Sequence, residues 1–225
     1  LSPETQSQLC TRTPVTRADV TLGDEWVVVL GADTGTYCAA VAVAVSPDGQ
    51  AVVLDEVTNY RYVANTPELD PDSSIVRWVQ EVVAMAQRWK ARPVAWVDAN
   101  SQFKAECAHH GLHLMANHRG REVRTEAARQ YFQHNEIFLA PWLDMLPYEL
   151  EHAQWPDKTS SAGRYERLKI HDHVLDCVEH VLSRHPRGRV DAPTPTMSPL
   201  YNSQPMGSPL RKKRRQPADA HLGTQ

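Results

Sequence analysis

The chain has 225 residues, 41% of them hydrophobic and 23% charged, with a net charge of −3. That length buries a core without disulfides or structural metal and fits one main domain, and the composition excludes a collagen or a wholly disordered chain. The longest apolar runs fall well short of the ~20 residues that span a bilayer, no basic-then-apolar leader opens the sequence, and Cys10, Cys38, Cys107 and Cys177 show no Cys-x-x-Cys spacing, which suits a reducing cytoplasm. The charge is uneven: Arg187 to Gln225 carries plus 5, and the body up to His185 carries minus 8. An acidic body argues against a broad nonspecific DNA groove but leaves room for a small acidic metal site. Leu1 in place of Met reads as the start of a fragment.

Residues 1–22 are polar and threonine-rich and read as linker or disordered lead-in. Three β-branched or alanine-rich runs follow, Trp26 to Leu30, Thr36 to Val45 and Ala51 to Val57, separated by the short turns Asp33-Thr34-Gly35 and Ser46-Pro47-Asp48-Gly49. Turns this short predict antiparallel hairpins. Pro71 to Ser74 is a helix start, followed by Ile75, Trp78, Val79, Val82, Val83 and Ala86 at helical spacing. Strands at Pro93–Val97, Leu112–Met115 and Ile137–Leu139 then alternate with helices at Ser101–His110, Arg121–Gln133 and Leu143–Trp155. Pro156 to Gly163 is a loop, and Ile170 to Leu182 closes the body as an amphipathic helix. The order predicts an α/β domain over residues 23–185, a mixed five-stranded sheet of three antiparallel strands then parallel strands, flanked by helices. The proline-rich, basic segment 186–225 is expected to be disordered.

Two strands, Val27 to Asp33 and Val94 to Asp98, each end in one carboxylate. Ligands of open α/β sheets bind beyond the carboxyl ends of strands, so as sheet neighbours these would point Asp33 and Asp98 at one small volume. Carboxylates so placed repel unless a cation joins them, and hard oxygen donors favour Mg²⁺ or Mn²⁺. An Asp after a strand is also simply a good turn residue. On the closing helix, Val174, Leu175, Val178, Val181 and Leu182 form the apolar stripe, with Asp172, His173, Asp176 and His180 opposite. By periodicity alone that polar side is a solvated face, with Asp172 favoured by the helix dipole. If the helix N-terminus meets the sheet edge, His173 and Asp176, one turn apart, become further metal donors.

The succession of strand plus Asp33, strand plus Asp98, Glu136 to Trp142, Leu146 to Trp155 with Glu149-Leu150, and Asp172-His173-Val174-Leu175-Asp176-Cys177 resembles the nuclease domain of the bacteriophage large terminase subunit. Cys177 stands where that family usually has Ala, and His180 where it has Tyr. The resemblance implies an RNase H-like fold and a metal-dependent endonuclease that cuts double-stranded viral DNA during genome packaging, in the cytoplasm of an infected host cell. It implies Asp33, Asp98 and Asp176 as catalytic metal ligands with His173, Asp172 as an outer candidate, and two Mg²⁺ or Mn²⁺ ions. Partners implied are the phage portal, the small terminase subunit and an ATPase module. No Gly-x-x-x-x-Gly-Lys-Ser/Thr occurs, so this chain is expected to be the nuclease half alone.

Arg119, Arg121 and Arg124 after the fifth strand, and Arg164, Arg167 and Lys169 around the loop, are candidate DNA-binding residues, although charges at helix starts are usually just solvated. The run Arg211 to Arg215 is either a nucleic-acid arm or a solubilising end. Two other classes compete. Gly31 to Thr36 is similar to the phosphate-binding hairpin of the actin and sugar-kinase superfamily, which needs two such lobes and a second hairpin that this chain lacks. A noncatalytic adaptor binding DNA or capsid protein would leave Asp33, Asp98 and Asp176 unclustered.

Overall fold

The apolar runs form strands where β-branched and alanine residues predict them. The computed structural model describes residues 16–153 and 172–185. Strands β1 (Val27–Asp33), β2 (Ala39–Val45) and β3 (Ala51–Thr58) pair antiparallel in succession, and a hairpin of β4 (Tyr60–Val63) and β5 (Thr66–Leu69) follows. Helix α1 (Ile75–Arg88), with the Ser74 side chain accepting the Arg77 amide as its cap, leads to β6 (Val94–Asp98). Then come α2 (Lys104–His109), β7 (His113–Asn117), α3 (Arg121–Gln133), β8 (Ile137–Leu139), α4 (Met145–His152) and α5 (His173–Arg184).

The main sheet runs β7-β6-β1-β2-β3-β8, with β6 parallel to β1, β7 parallel to β6, and β8 parallel to β3. The expected five strands become six because β8 pairs parallel with β3, Ala51 to Val53 against Ile137 to Leu139. The β4–β5 hairpin forms a separate small sheet that the periodicity did not announce.

Strand alternation sorts the core into two layers. Leu30, Ala32, Ala40, Ala42, Ala44, Val52, Leu54, Ala95 and Val97 pack with Trp78, Val82 and Met85 of α1. The opposite faces of β2 and β3 pack Val41, Val43 and Val53 against Val174, Val178 and Val181 of α5 and Tyr131 of α3. Every residue of β2, Ala-Ala-Val-Ala-Val-Ala-Val, is buried, as a central strand covered on both faces must be.

The lead-in expected over residues 1–22 is in part structured. Arg17–Asp19 is a short 3-10 turn, Arg17 pairs with the buried Asp55 at 2.9 Å, and Val20 and Leu22 pack on the α1 layer. The expected loop 156–163, the arginines and lysine at 164, 167 and 169, and the tail 186–225 lie outside the described residues. Among the described residues no helix is long and apolar enough to cross a membrane, and Cys38, Cys107 and Cys177 are free and buried.

Candidate active site at the carboxyl edge of the sheet

Parallel pairing of β1 with β6 joins Leu30 to Ala95 and Gly31 to Trp96. Continued along both strands, that register sets Asp33 level with Asp98 at the carboxyl edge, on the same side of the sheet. The two strand ends are tied just beyond the carboxylates by a hydrogen bond between the Thr34 and Ser101 hydroxyls and by the Thr34 hydroxyl donating, at 3.1 Å, to the Gln102 carbonyl.

Helix α5 lies against this side because Gly31 lets it. A methyl carbon at Gly31 would stand 2.1 Å from the Cys177 carbonyl oxygen and 3.0 Å from Val181 Cγ2. The helix backbone therefore rests directly on β1, close enough for His173 Nδ1 to meet Asp33 Oδ2 at 2.8 Å. Burial pulls the His173 imidazole down, but the hydrogen bond and charge of Asp33, with Glu149 and Asp172 adding, outweigh it and hold its pKa above the ordinary histidine value. Tyr37 and Tyr60 pack their rings against it at 5.6 and 5.5 Å between centroids.

The polar side of α5 is not the solvated face that periodicity predicts. Asp172, Asp176, Glu179 and His180 are all buried, because α3 covers the side that the sheet leaves open. Each acquires a partner instead: Arg121 of α3 pairs with Asp172 and lies 3.8 Å from Asp176, and Glu179 accepts the Thr125 hydroxyl at 3.0 Å. Arg124 is bound to Asp98 at 2.7 Å and to the Arg119 carbonyl at 3.2 Å. His180, 2% exposed, has Nε2 3.8 Å from the same Asp98 oxygen; burial first, then the charge of Arg124, hold it down to about 4, so it is neutral at pH 7. Asn117 at the end of β7 ties the helix to the sheet through the His180 carbonyl and the Ser183 hydroxyl.

Two glutamates, Glu56 half-buried and Glu149 buried, set where the helices start. Glu56 of β3 accepts the amides of Asp144, Met145 and Leu146, the open first turn of α4. From α4, Glu149 accepts the Leu175 amide at 2.8 Å and the hydroxyls of Tyr60 at 2.9 Å and Tyr62 at 3.0 Å. A carboxylate on each helix N-terminus satisfies orphan donors and suits the helix dipole. Burial pushes both carboxyls above the ordinary glutamate range. Neither anchoring role is visible in sequence, since each residue reaches an element far along the chain.

Asp33 and Asp98 thus end neighbouring parallel strands, His173 meets Asp33, and Arg121 lies between Asp172 and Asp176. Arg119, Arg121 and Arg124, expected to face DNA, are engaged within the protein, Arg119 on the Ser183 carbonyl. Three carboxylates and an imidazole are the donor chemistry of a hard divalent ion. As the side chains stand, no three His, Cys, Asp or Glu residues among those described converge as a metal-binding group; arginines take up the carboxylates instead. The donor set fits a divalent cation in kind, and Asp33 and Asp98 are its more open pair.

No family model matches the sequence, and no curated protein matches it. Solved structures do match in fold. The large terminase of a thermophilic bacteriophage superposes with a TM-score of 0.56 at 13% identity, over 73% of this chain and 41% of that one, so this chain spans about two fifths of that protein's length. The P22 large terminase nuclease domain gives 0.56 at 13% identity, covering 75% of this chain and 87% of that one. The nuclease domain of the large terminase of bacteriophage SPP1, solved with bound Mn, gives 0.53 at 15% identity, covering 77% and 94%. These matches, all at low identity, show that the chain shares the fold of large terminase nuclease domains.

Proposed function

We propose that this chain is a divalent-metal-dependent endonuclease that cuts double-stranded DNA during viral genome packaging, working beside an ATPase module. The observation that carries the reading is the β1–β6 register, which brings the strands of Asp33 and Asp98 out side by side at the carboxyl edge, with His173 of α5 bonded to Asp33. The fold likeness to terminase nuclease domains, one solved with Mn, supports it. Asp33 and Asp98 would hold the ion, with Asp176 and His173 completing the set; Asp172, already bound by Arg121, is the outer member. These residues would hold Mg²⁺ or Mn²⁺, which would supply activation of a water and charge stabilisation at the leaving 3′ oxygen. The protein's own contribution is placement: Thr34 and Ser101 fix the two strand ends, Glu149 fixes the start of α5, and Asp33 orients the His173 ring. Portal protein and the small terminase subunit are the partners this role implies.

The test is plasmid DNA with Mn²⁺ or Mg²⁺, with and without EDTA. Cutting should need the metal, and Asp33→Ala or Asp98→Ala should abolish it with circular dichroism unchanged. Full activity in either correctly folded variant overturns the site assignment. Micromolar ATP binding by calorimetry would favour the kinase-like alternative.

A further inference from the structure

Among the described residues five other than glycine have a positive φ, and four of them have an ordinary reason for it. Ala64 and Asn65 turn the chain between β4 and β5, and Lys90 and Asn135 close the carboxyl ends of α1 and α3, where left-handed residues commonly stand. Phe103, at φ 60° and ψ 15°, instead precedes a helix, and a bulky aromatic in that conformation is an outlier that glycine would fill without strain. Packing does not compensate: Phe103 is 39% exposed and belongs to neither core layer. Backbone strain held in this way gathers at functional sites.

The hydrogen bonds around Phe103 fix where it stands. It follows Asp98 by five residues; the Ser101 amide donates to the Asp98 carbonyl at 3.0 Å, and Lys104 Nζ donates to the Ala99 carbonyl at 2.9 Å, which closes the loop on itself. The hydroxyl of Thr34, next to Asp33, donates to the carbonyl of Gln102, next to Phe103. The ring is therefore carried at the carboxyl edge where Asp33 and Asp98 end their strands. At that edge Arg119, Arg121 and Arg124 are engaged inside the protein, and the body is acidic, so phosphate contacts alone offer a duplex little hold. An exposed phenyl ring supplies another kind of contact, because bases and deoxyriboses present apolar faces on which aromatic side chains stack or wedge. We propose that Phe103 is a DNA-positioning residue, whose ring packs on a nucleotide of the duplex beside the phosphodiester to be cut. This rests on the nuclease reading above.

Anisotropy of a fluorescein-labelled duplex, with the full chain in EDTA and again in Ca²⁺, measures binding apart from cutting. Phe103→Gly should bind about fivefold or more weakly, the lower end of what a nucleotide stacked on an aromatic ring is worth, while Phe103→Tyr keeps the parental affinity. The loss should be the same factor at every salt concentration, since an apolar contact releases no counterions. The urea midpoint of Phe103→Gly should stay at or above that of the parent, because glycine relieves the left-handed backbone. Parental affinity in Phe103→Gly overturns the assignment and leaves the nuclease reading standing. A loss that comes with a lowered midpoint or a changed salt slope, or that is as large in Phe103→Tyr, overturns it as well and marks a packing role. A parent that binds no duplex in either buffer overturns the nuclease reading, and the role of Phe103 with it.

Discussion

Replacing Gly31 by alanine is the sharpest test of how the site is assembled. The added methyl would lie 2.1 Å from the Cys177 carbonyl oxygen, and the neighbouring atom is helix backbone, which has no rotamer to escape into. Carbon–oxygen contacts in proteins come no closer than about 3.3 Å, so α5 must back away from β1 by roughly 1 Å. Overpacking of this kind costs about 1–3 kcal/mol, and a rigid neighbour puts the cost towards the upper end. The same retreat lengthens the 2.8 Å hydrogen bond between His173 and Asp33 and lifts Asp176 from the sheet edge. A misplacement of about 1 Å costs on the order of 100-fold in rate. Urea unfolding followed by circular dichroism should therefore show a lowered midpoint, and plasmid nicking should fall by about two orders of magnitude while some folded protein remains. Gly35→Ala is the control, because the nearest atom to its added methyl is the Tyr37 carbonyl at 4.0 Å and its backbone is not in the left-handed region. That variant should stay within about 0.5 kcal/mol of the parent. A Gly31→Ala protein with parental midpoint and parental nicking would refute the claim that α5 rests on β1 at this residue.

Three further outcomes are expected. Glu149→Gln leaves one acceptor where two carboxylate oxygens took Tyr60, Tyr62 and the first turn of α5, and should cost about 1–3 kcal/mol in urea unfolding. Because burial raises the Glu149 pKa, its contribution to stability is full below the ordinary glutamate range and is lost as pH rises through the raised value, so the gap between parent and variant should narrow with rising pH; a gap that widens refutes this. Asp176→Asn should stop cutting and Asp172→Asn, whose partner is Arg121, should only weaken it; the reverse ranking in a nicking assay exchanges their roles. Changing Arg211 to Arg215 to glutamine in the full chain removes the whole net charge of plus 5 from that segment, and the slope of log DNA affinity against log salt should become shallower by roughly 0.9 for each phosphate that the protein no longer neutralises. An unchanged slope means these residues do not touch the duplex.

The strands were legible in the chain because β-branched and alanine runs broken by Asp-Thr-Gly and Pro-Asp-Gly turns leave few other structures open, and α3 begins and ends where Arg121 and Gln133 suggest. Asp33 and Asp98 could be singled out because each closes an apolar run, a local signal. The short β8 could be read as a strand, but its place in the sheet depends on the distant β3. The hairpin at Tyr60–Leu69 had no clear alternation and went unseen. Helix α5 shows the limit most plainly. Its polar side had the pattern of a solvated face, and a one-dimensional pattern cannot tell water from a partner helix carrying Arg121, Arg124 and Thr125. The same arginines, which by sequence looked outward to DNA, turn inward because the acidic edge and the buried side of α5 leave charge that must be matched. Glu56 and Glu149 act on helix ends some ninety and twenty-six residues away, across distances that only chain folding closes. Local periodicity thus settled the elements and the strand-end carboxylates, whereas which charges are buried, and against what, was decided by the packing of α3 and α5 over one edge of the sheet, since desolvation acts on neighbours in space.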